Sequence, residues 1–137
     1  MKPPEQVKQE FLRRWMAKAD EDLGVAHHLL ATDAPFLGAV GFHAQQAAEK
    51  YLKAFLVWNQ ADFPKTHDVE ALLAVVARYN PALAHSLLDT TVLTDYGVAV
   101  RYPGDLPELT LQQANGAVDL AEKTRAEVSG ALKNALS

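Results

Sequence analysis

Cysteine is absent from this chain of 137 residues. Disulfides, zinc sites with thiolate ligands and a cysteine nucleophile are therefore excluded, and such a chain suits a reducing compartment. Long apolar runs are also lacking, since none approaches the roughly 20 residues that a membrane-spanning helix needs. The first residues, MKPPEQVKQEFLRRW, have no apolar signal-peptide segment. We expect a cytoplasmic protein that does not enter a membrane.

An excess of positive charge is missing as well. The 13 Lys and Arg residues are outnumbered by 17 Asp and Glu residues, so the formal net charge is -4. Proteins that coat nucleic acid nonspecifically neutralise many phosphates with Lys and Arg, so any contact with nucleic acid must here be local. What the chain does have is 49% hydrophobic residues, enough for one contiguous core. Its length fits a single domain over residues 1–137.

Apolar periodicity predicts five helices and no strand. In the first segment the apolar residues recur every three or four positions, which is typical of an amphipathic helix with one buried stripe. They are Leu12, Met16, Ala19, Leu23, Ala26 and Leu30. The predicted helices cover residues 5–31, 36–59, 68–79, 81–100 and 110–136, with residue 107 as an alternative start of the last. Thr66 or Asp68 can cap the third helix, and Asn80 with Pro81 can begin the fourth.

The predicted helices are joined by short polar connections. Long amphipathic helices with short connections pack as antiparallel neighbours. We therefore expect an all-α fold: an up-and-down bundle of four long helices, with the third predicted helix as a short crossing piece. The residues of the last helix that are predicted to be buried are Leu111, Ala114, Val118, Ala121, Val128, Leu132 and Ala135.

The second predicted helix carries many polar residues for a central helix, as its sequence FHAQQAAEKYLKAFL (42–56) shows. On a helical wheel its core face comprises Ala44, Ala47, Ala48, Tyr51, Ala54, Phe55 and Trp58. Gln45 and Glu49 lie just beyond this face, so we expect them to be partly buried and to need partners. The next strip is polar and consists of His43, Gln46, Lys50 and Lys53. It is either a solvated face with a Glu49–Lys53 pair, worth a few tenths of a kcal/mol, or one wall of a groove.

Two further stretches have both a structural and a functional interpretation. In VRYPGD (100–105), Pro103 restricts Tyr102 to extended geometry, so Arg101 lies in the last turn of the fourth helix. Arg101 either caps carbonyls there or holds a phosphate or carboxylate beside the aromatic ring. In KTHDVEALL (65–73), His67 is either a surface residue of the first turn or an imidazole placed where helix N-terminal amides attract an anion.

Four stretches of the chain together resemble HEPN domains, the higher-eukaryote and prokaryote nucleotide-binding family. They are KADEDLGVAHHLL (18–30), GFHAQQAAEKYLKAFL (41–56), FPKTHDVEALL (63–73) and YGVAVRYPGD (96–105). The resemblance spans nearly the whole chain and implies a four- or five-helix bundle that is commonly a homodimer. It also implies a partner, because many prokaryotic members are encoded beside a minimal nucleotidyltransferase and act with it as a toxin-antitoxin pair.

This resemblance points to a binding and regulatory module with a groove for a nucleotide, RNA or another phosphate-bearing ligand. The residues expected to line it are Gln46, Glu49, Lys50, Lys53, His67, Asp68, Arg101 and Tyr102. Lys50, Lys53 and Arg101 would attract anions, Gln46 would orient the ligand, and Glu49 would hold Arg101 or a lysine. In a structural alternative, Glu49 and Arg101 pair only to fix the bundle. No metal is expected, because the His27–His28 dipeptide cannot place both imidazoles on one helical face. No cofactor is expected, because no Gly-rich phosphate loop is recognisable.

Many relatives of this family are metal-independent ribonucleases, which is the alternative function. In those members an Arg is followed, after roughly four to six residues, by a His, and the pair assists attack of a ribose 2′-hydroxyl on the adjacent phosphate. No His follows Arg101 within that window. Arg78 and His85 have a permitted spacing, but they straddle the turn between the third and fourth helices, and we interpret them as a coincidence. A ribonuclease would thus need a degenerate site that uses Arg101 with His67 or His43.

Overall fold

Every regular element is helical in the computed structural model, which describes residues 4–33, 35–96 and 108–136. The α-helices are α1 (Pro4–Leu30), α2 (Leu37–Trp58), α3 (Val69–Val76), α4 (Pro81–Ser86), α5 (Leu111–Ala131) and α6 (Lys133–Leu136), and a 3-10 helix covers Leu88–Tyr96. The predicted all-α helical bundle is confirmed. Within the described ranges, no helix has the length and apolar character that crossing a membrane requires.

Helix α2 lies at the centre of the bundle. It packs along α1 and α5 and also contacts α3 and the 3-10 helix. The Lys8 ammonium of α1 lies 4.2 Å from the ring centroid of Trp58, the last residue of α2. Further along α1, Asp20 accepts a hydrogen bond from the Tyr51 hydroxyl. The two helices are therefore antiparallel, as expected for an up-and-down bundle.

The core is formed by the apolar stripes of α1, α2 and α5, as the periodicity predicted. Fully buried residues of α1 and α5 include Leu12, Ala19, Ala26, Ala114, Ala121 and Val128, and α2 contributes Ala44, Ala47, Ala48, Tyr51 and Ala54. Alanine at so many of these positions lets the helix axes approach closely. Leu111 was predicted to be buried but is 54% exposed. It is the first residue of α5, one turn before that helix reaches the core at Ala114.

The fourth predicted helix is divided into two pieces. Helix α4 ends at Ser86, the following 3-10 helix ends at Tyr96, and residues 97–100 lie outside the described ranges. Thr90 and Thr91 are β-branched, which lowers α-helix propensity. Their hydroxyls donate to carbonyls three residues earlier, at 2.5 and 2.9 Å. Hydrogen bonding of side chains at this spacing competes with the α-helical pattern, so a tighter helix forms.

Helix α4 begins at the capping residues that the sequence indicated, and α5 begins after Thr110, one of the two starts predicted for the last helix. The Asn80 side chain accepts from the Leu83 amide at 3.0 Å, with Pro81 in the first turn of α4. At α5, Thr110 accepts from the Gln113 amide at 3.1 Å, and the Gln113 side chain accepts from the Thr110 amide at 2.9 Å. This capping box fixes the first turn of α5.

Candidate functional site

Polar side chains cross one face of α2 and meet partners from α1 and from the loop before α3. Gln45 is 0% exposed and Glu49 is 3% exposed, so both are more deeply buried than the partial burial predicted from the wheel. Buried polar groups are stable only when they are hydrogen-bonded. Within the described ranges, no buried side-chain nitrogen or oxygen lacks a partner. Two carboxylates, those of Glu49 and Asp22, organise these partners.

The Glu49 cluster consists of Glu49, Lys53, Gln45 and His67. Lys53 Nζ donates to Glu49 Oε1 at 2.5 Å, and Gln45 Nε2 donates to Oε2 at 2.9 Å. His67 Nδ1 lies 3.1 and 3.0 Å from the two carboxylate oxygens. The predicted Glu49–Lys53 pair is thus present. It does not belong to a solvated face, because the Lys53 side chain is only 14% exposed.

The Glu49 carboxylate is held in its ionised form by these donors. Burial alone raises the pKa of Glu49, because a charge is disfavoured away from water. Hydrogen bonds from Lys53, His67 and Gln45 outweigh burial, so the pKa is lowered from its ordinary value of 4.5. Glu49 is therefore a buried anion at neutral pH that depends on three neighbours for its stability.

Gln45 also attaches the loop before α3 to α2. Its Nε2 donates to the backbone carbonyl of His67 at 3.1 Å in addition to Glu49. Its Oε1 accepts from Gln46 Nε2 at 2.8 Å. Because a side-chain amide has two N–H groups, both are engaged, and the loop that carries His67 is fixed against the helix.

The Asp22 cluster consists of Asp22 on α1 with His43 and Lys50 on α2. His43 Nδ1 donates to Asp22 Oδ1 at 2.9 Å, and Lys50 donates to Oδ2. The three side chains are between 13% and 29% exposed, so the cluster is half-buried. The His43 ring also meets the edge of Phe42, with ring centroids 5.3 Å apart.

Asp22 is the main functional candidate that the sequence reasoning missed. It is 9% exposed, although it was not assigned to any site. A signal for it exists in the sequence: Asp22 follows Ala19 by three residues and precedes Ala26 by four, so it lies at the edge of the buried stripe of α1. An acidic residue at such a position needs a cationic partner from a neighbouring helix.

The two clusters share one arrangement and lie side by side. In each, a carboxylate binds Nδ1 of a histidine and the ammonium of a lysine. Glu49 and Lys50 are consecutive in α2, and Gln46 precedes them by about one turn. Because a carboxylate only accepts hydrogen bonds, Nδ1 carries the proton in each imidazole. In the neutral tautomer, the Nε2 atoms of His43 and His67 are then left to accept a hydrogen bond.

The start of α3 is occupied by the protein's own side chains. Asp68 is exposed and accepts from the Glu70 amide at 3.0 Å, so it acts as the cap of this helix. The Val69 amide donates to the Thr94 hydroxyl, also at 3.0 Å. These two amides are therefore already bonded, which argues against the predicted anion site at the N-terminus of α3.

The structure brings five of the predicted site residues onto or against one face of α2: Gln46, Glu49, Lys50, Lys53 and His67. Arg101 and Tyr102 lie outside the described residues, as does any pairing of Arg101 with Glu49. Arg78 and His85 are both exposed, in the turn after α3 and on α4. The described part of the chain contains no group of three or more His, Asp or Glu side chains able to hold a metal ion.

A third polar group joins the three longest helices. The buried Tyr51 hydroxyl donates to Asp20 Oδ1 at 2.5 Å, and Arg125 Nε of α5 donates to the same oxygen at 2.9 Å. Burial, followed by the hydrogen bond to Asp20, raises the pKa of Tyr51 strongly. The hydrogen bond to Asp20 likewise raises the pKa of Arg125. This group connects α1, α2 and α5 and has a structural role.

Comparison with protein families matches residues 12–131 to the HEPN domain. The chain belongs to the HEPN domain family. The matched region contains both carboxylate clusters and all of α2 to α4, and it extends to the last residue of α5. Membership of this family indicates a function related to nucleotides or RNA. Comparisons with curated proteins and with solved structures gave no match.

Proposed function

We propose that this HEPN domain is a binding and regulatory module whose site is formed by the Asp22 and Glu49 clusters and takes a nucleotide or another phosphate-bearing ligand. The observation that supports the proposal is the pair of carboxylate clusters next to each other on α2, one half-buried around Asp22 and one more deeply buried around Glu49. Burying a carboxylate with its partners costs desolvation free energy, and apolar residues of similar volume often stabilise a fold equally well. Two such clusters next to each other are therefore better explained by recognition than by stability.

Each cluster offers hydrogen-bond donors to a phosphate. Lys50 and Lys53 each donate to a carboxylate, and an ammonium has three N–H groups in total. The remaining N–H groups can donate to phosphate oxygens, in charge-assisted hydrogen bonds that are stronger than neutral ones. Gln46 uses one amide N–H for Gln45, and its other polar atoms can orient the ligand.

The test is calorimetric titration with inorganic phosphate, adenosine 5′-monophosphate and adenosine 5′-triphosphate. Lys50→Gln and Lys53→Gln should each weaken binding by roughly 10- to 150-fold, since a charge-assisted hydrogen bond contributes about 1.5–3 kcal/mol. Lys18→Gln is the matched control, because Lys18 lies on α1 with a side chain 71% exposed. Absence of binding for all three probes, or lysine variants that bind like the parent protein but unfold more easily, would favour a purely structural role.

Family membership supports a second part of the proposal, the partner. We propose that the protein forms a homodimer and acts with a minimal nucleotidyltransferase in a toxin-antitoxin pair. A neighbouring gene for a small protein with a Gly-Ser…Asp-x-Asp signature would supply the candidate. Co-expression and purification through a tag on either protein should then yield a stable complex. Recovery of the two proteins in separate fractions would contradict the pairing.

A metal-independent ribonuclease is the second candidate function. It is favoured by the carboxylates that hold Nδ1 of His43 and His67, because each imidazole then presents Nε2 as a proton acceptor. A general base typically contributes 10²–10⁴-fold to a rate. Cleavage of RNA by the purified protein in the presence of a chelator, lost in His43→Asn or His67→Asn, would establish this activity. Intact RNA under those conditions would exclude it.

A further inference from the structure

We infer that two copies of this chain associate by placing the outer face of α1 of one copy in the groove between α4 and α5 of the other. This inference rests on the proposed homodimer and specifies its surfaces. It starts from two surfaces that the fold of one copy leaves uncovered. One combines apolar and basic side chains, and the other is mainly apolar with a single carboxylate.

Four exposed residues form a strip along the outer face of α1. Their spacing of four, three and four positions places them within about 60° of one another around the helix axis, on the side opposite the buried stripe. Two of them are apolar although they are 36% and 47% exposed. The outer face of a helix in a bundle is normally polar, so the fold of one copy does not explain the strip. The strip consists of Val7, Phe11, Arg14 and Lys18.

Positive charge is concentrated in the part of the chain that carries this strip. The first 18 residues hold five of the 13 Lys and Arg residues but only two of the 17 Asp and Glu residues, a formal charge of +3. The rest of the chain has eight basic against 15 acidic residues, a formal charge of -7. A second copy therefore presents an acidic surface that complements the strip, whereas most of the protein repels a polyanion such as nucleic acid.

The groove between α4 and α5 provides an apolar surface of suitable size. Its volume is about 480 Å³, within the range of sites that hold a small organic molecule, so one aromatic side chain can enter it. Small residues keep the groove open, and a Cβ added at Gly130 would meet open space. The lining residues that matter for the fit are Ala82 and Leu83 of α4 and Ala126, Glu127, Gly130 and Ala131 of α5.

Glu127 lines this groove without a cationic partner among the described residues. Lys123, one turn earlier on α5, donates instead to the Asp89 carboxylate at 3.0 and 3.1 Å. On the strip, the guanidinium carbon of Arg14 lies 5.7 Å from the ring centroid of Phe11. Insertion of Phe11 into the groove therefore brings the guanidinium to the rim, where it can donate to the Glu127 carboxylate.

A two-fold axis makes this contact form twice, because each copy contributes one strip and one groove. Neither surface contains a residue of the Asp22 cluster or the Glu49 cluster. Phosphate binding can therefore be measured independently of association.

The experiment is sedimentation velocity of the full chain over a series of concentrations, in which the parent protein should form a dimer. Arg14→Glu and Glu127→Arg should each weaken association by at least roughly 10-fold, because each places like charges together at the contact. The double variant exchanges the two charges and should restore association. Arg13→Glu and Asp119→Arg are the matched controls, since both residues are exposed on the same two helices but belong to neither surface.

The apolar part of the contact is tested in the same measurement. Phe11→Ser should weaken association by roughly 10-fold or more, as truncation of a central aromatic side chain usually does. Val92→Ser is the matched control, because Val92 is 44% exposed, close to the 47% of Phe11, and lies on the 3-10 helix.

The outcomes separate this inference from the proposal on which it rests. A dimer that persists in Arg14→Glu and Phe11→Ser would overturn the choice of surfaces and leave the homodimer intact. A parent protein that is monomeric at every concentration would overturn both. A double variant that associates no better than the single variants would contradict the pairing of Arg14 with Glu127. Loss of a nucleotidyltransferase complex in Phe11→Ser, with an unchanged homodimer, would assign the strip to that partner and not to a second copy.

Discussion

Nδ1 of His67 lies 3.0 Å from Oε2 of Glu49, so an exposed imidazole from the loop before α3 is held by a carboxylate that is almost fully buried in α2. This contact crosses the boundary between the core and the solvent. It means that substitutions of Glu49 act on stability and on the candidate site together, and the two effects can be separated by experiment.

Glu49→Gln should lower the free energy of unfolding by roughly 1–3 kcal/mol, because it leaves Lys53 and His67 without their anionic partner. The measurement is urea denaturation followed by circular dichroism. Glu21→Gln is the matched control, since the Glu21–Lys18 pair is 3.9 Å long and both side chains are 71% exposed. The control should change stability by less than about 0.5 kcal/mol. Equal effects of the two substitutions would contradict the importance of the Glu49 cluster.

The contribution of Glu49 should depend on pH in a defined direction. Its folded-state pKa is below the ordinary value of 4.5, so the unfolded chain binds the proton more readily. The stabilisation is therefore fully present above pH 4.5 and is lost as the pH falls through the folded-state pKa. The difference in unfolding free energy between the parent protein and Glu49→Gln should shrink on acidification below 4.5. A difference that grows toward acid would contradict this sign.

Tyr51→Phe should lower the free energy of unfolding by roughly 1–3 kcal/mol, because it removes the hydrogen bond between the fully buried Tyr51 side chain and the Asp20 carboxylate. The raised pKa of Tyr51 gives a second expectation. The stabilisation that protonated Tyr51 contributes to the fold is fully present at pH values below the ordinary tyrosine pKa of about 10, and it is lost as the pH rises above that value. Urea denaturation at pH 8 and pH 11 measures both effects. Tyr79→Phe, at a residue 47% exposed, should change stability little at either pH.

Substituting two different glycines by alanine should change the stability of the protein in opposite directions. A Cβ added at Gly41 would collide with the Leu109 side chain and lie 3.3 Å from Cβ of Tyr96. Overpacking usually costs roughly 1–3 kcal/mol, and a move of the Leu109 side chain together with a gain in helix propensity of roughly 0.5–1 kcal/mol offsets part of it, so Gly41→Ala should lower the free energy of unfolding by at most about 2 kcal/mol. Gly24, in the middle of α1, has no heavy atom within 4 Å of such a Cβ. Gly24→Ala should stabilise by roughly 0.5–1 kcal/mol through helix propensity. Thermal unfolding of the pair tests whether Gly41 is needed for close packing.

The sequence predicted the helices that have strong periodicity and clear caps. The stripe of α1 and the start of α4 at Asn80 and Pro81 follow from residue spacing and capping preferences alone. The division after Ser86 was not predicted, because it depends on threonine hydroxyls competing for backbone carbonyls rather than on apolar pattern. The exposure of Leu111 was missed for a related reason: spacing identifies a face but not the point at which a helix enters the core.

The candidate site was predicted less completely than the fold. Polar residues near the core face of a helix, such as Gln45 and Glu49, can be predicted to need hydrogen-bond partners. The sequence does not indicate which other helix or loop supplies those partners. Asp22 was missed because its partners on α2 are more than 20 residues away in the chain. For His67 the sequence left open a surface position or an anion-attracting one, and it did not indicate the contact with Glu49. Contacts of this kind depend on how two helices are rotated against each other, which one sequence does not specify.

Helix α2 combines two roles within a few consecutive residues. Ala48 and Tyr51 face the core, while Glu49 and Lys50 each belong to a different carboxylate cluster. Inserting or deleting one residue in this stretch would rotate everything beyond it by about 100° around the helix axis. That single event would move charged groups into the interior and separate Lys50 from the Asp22 carboxylate that it shares with His43. During evolution this helix can therefore exchange residue types, but it can hardly change in length.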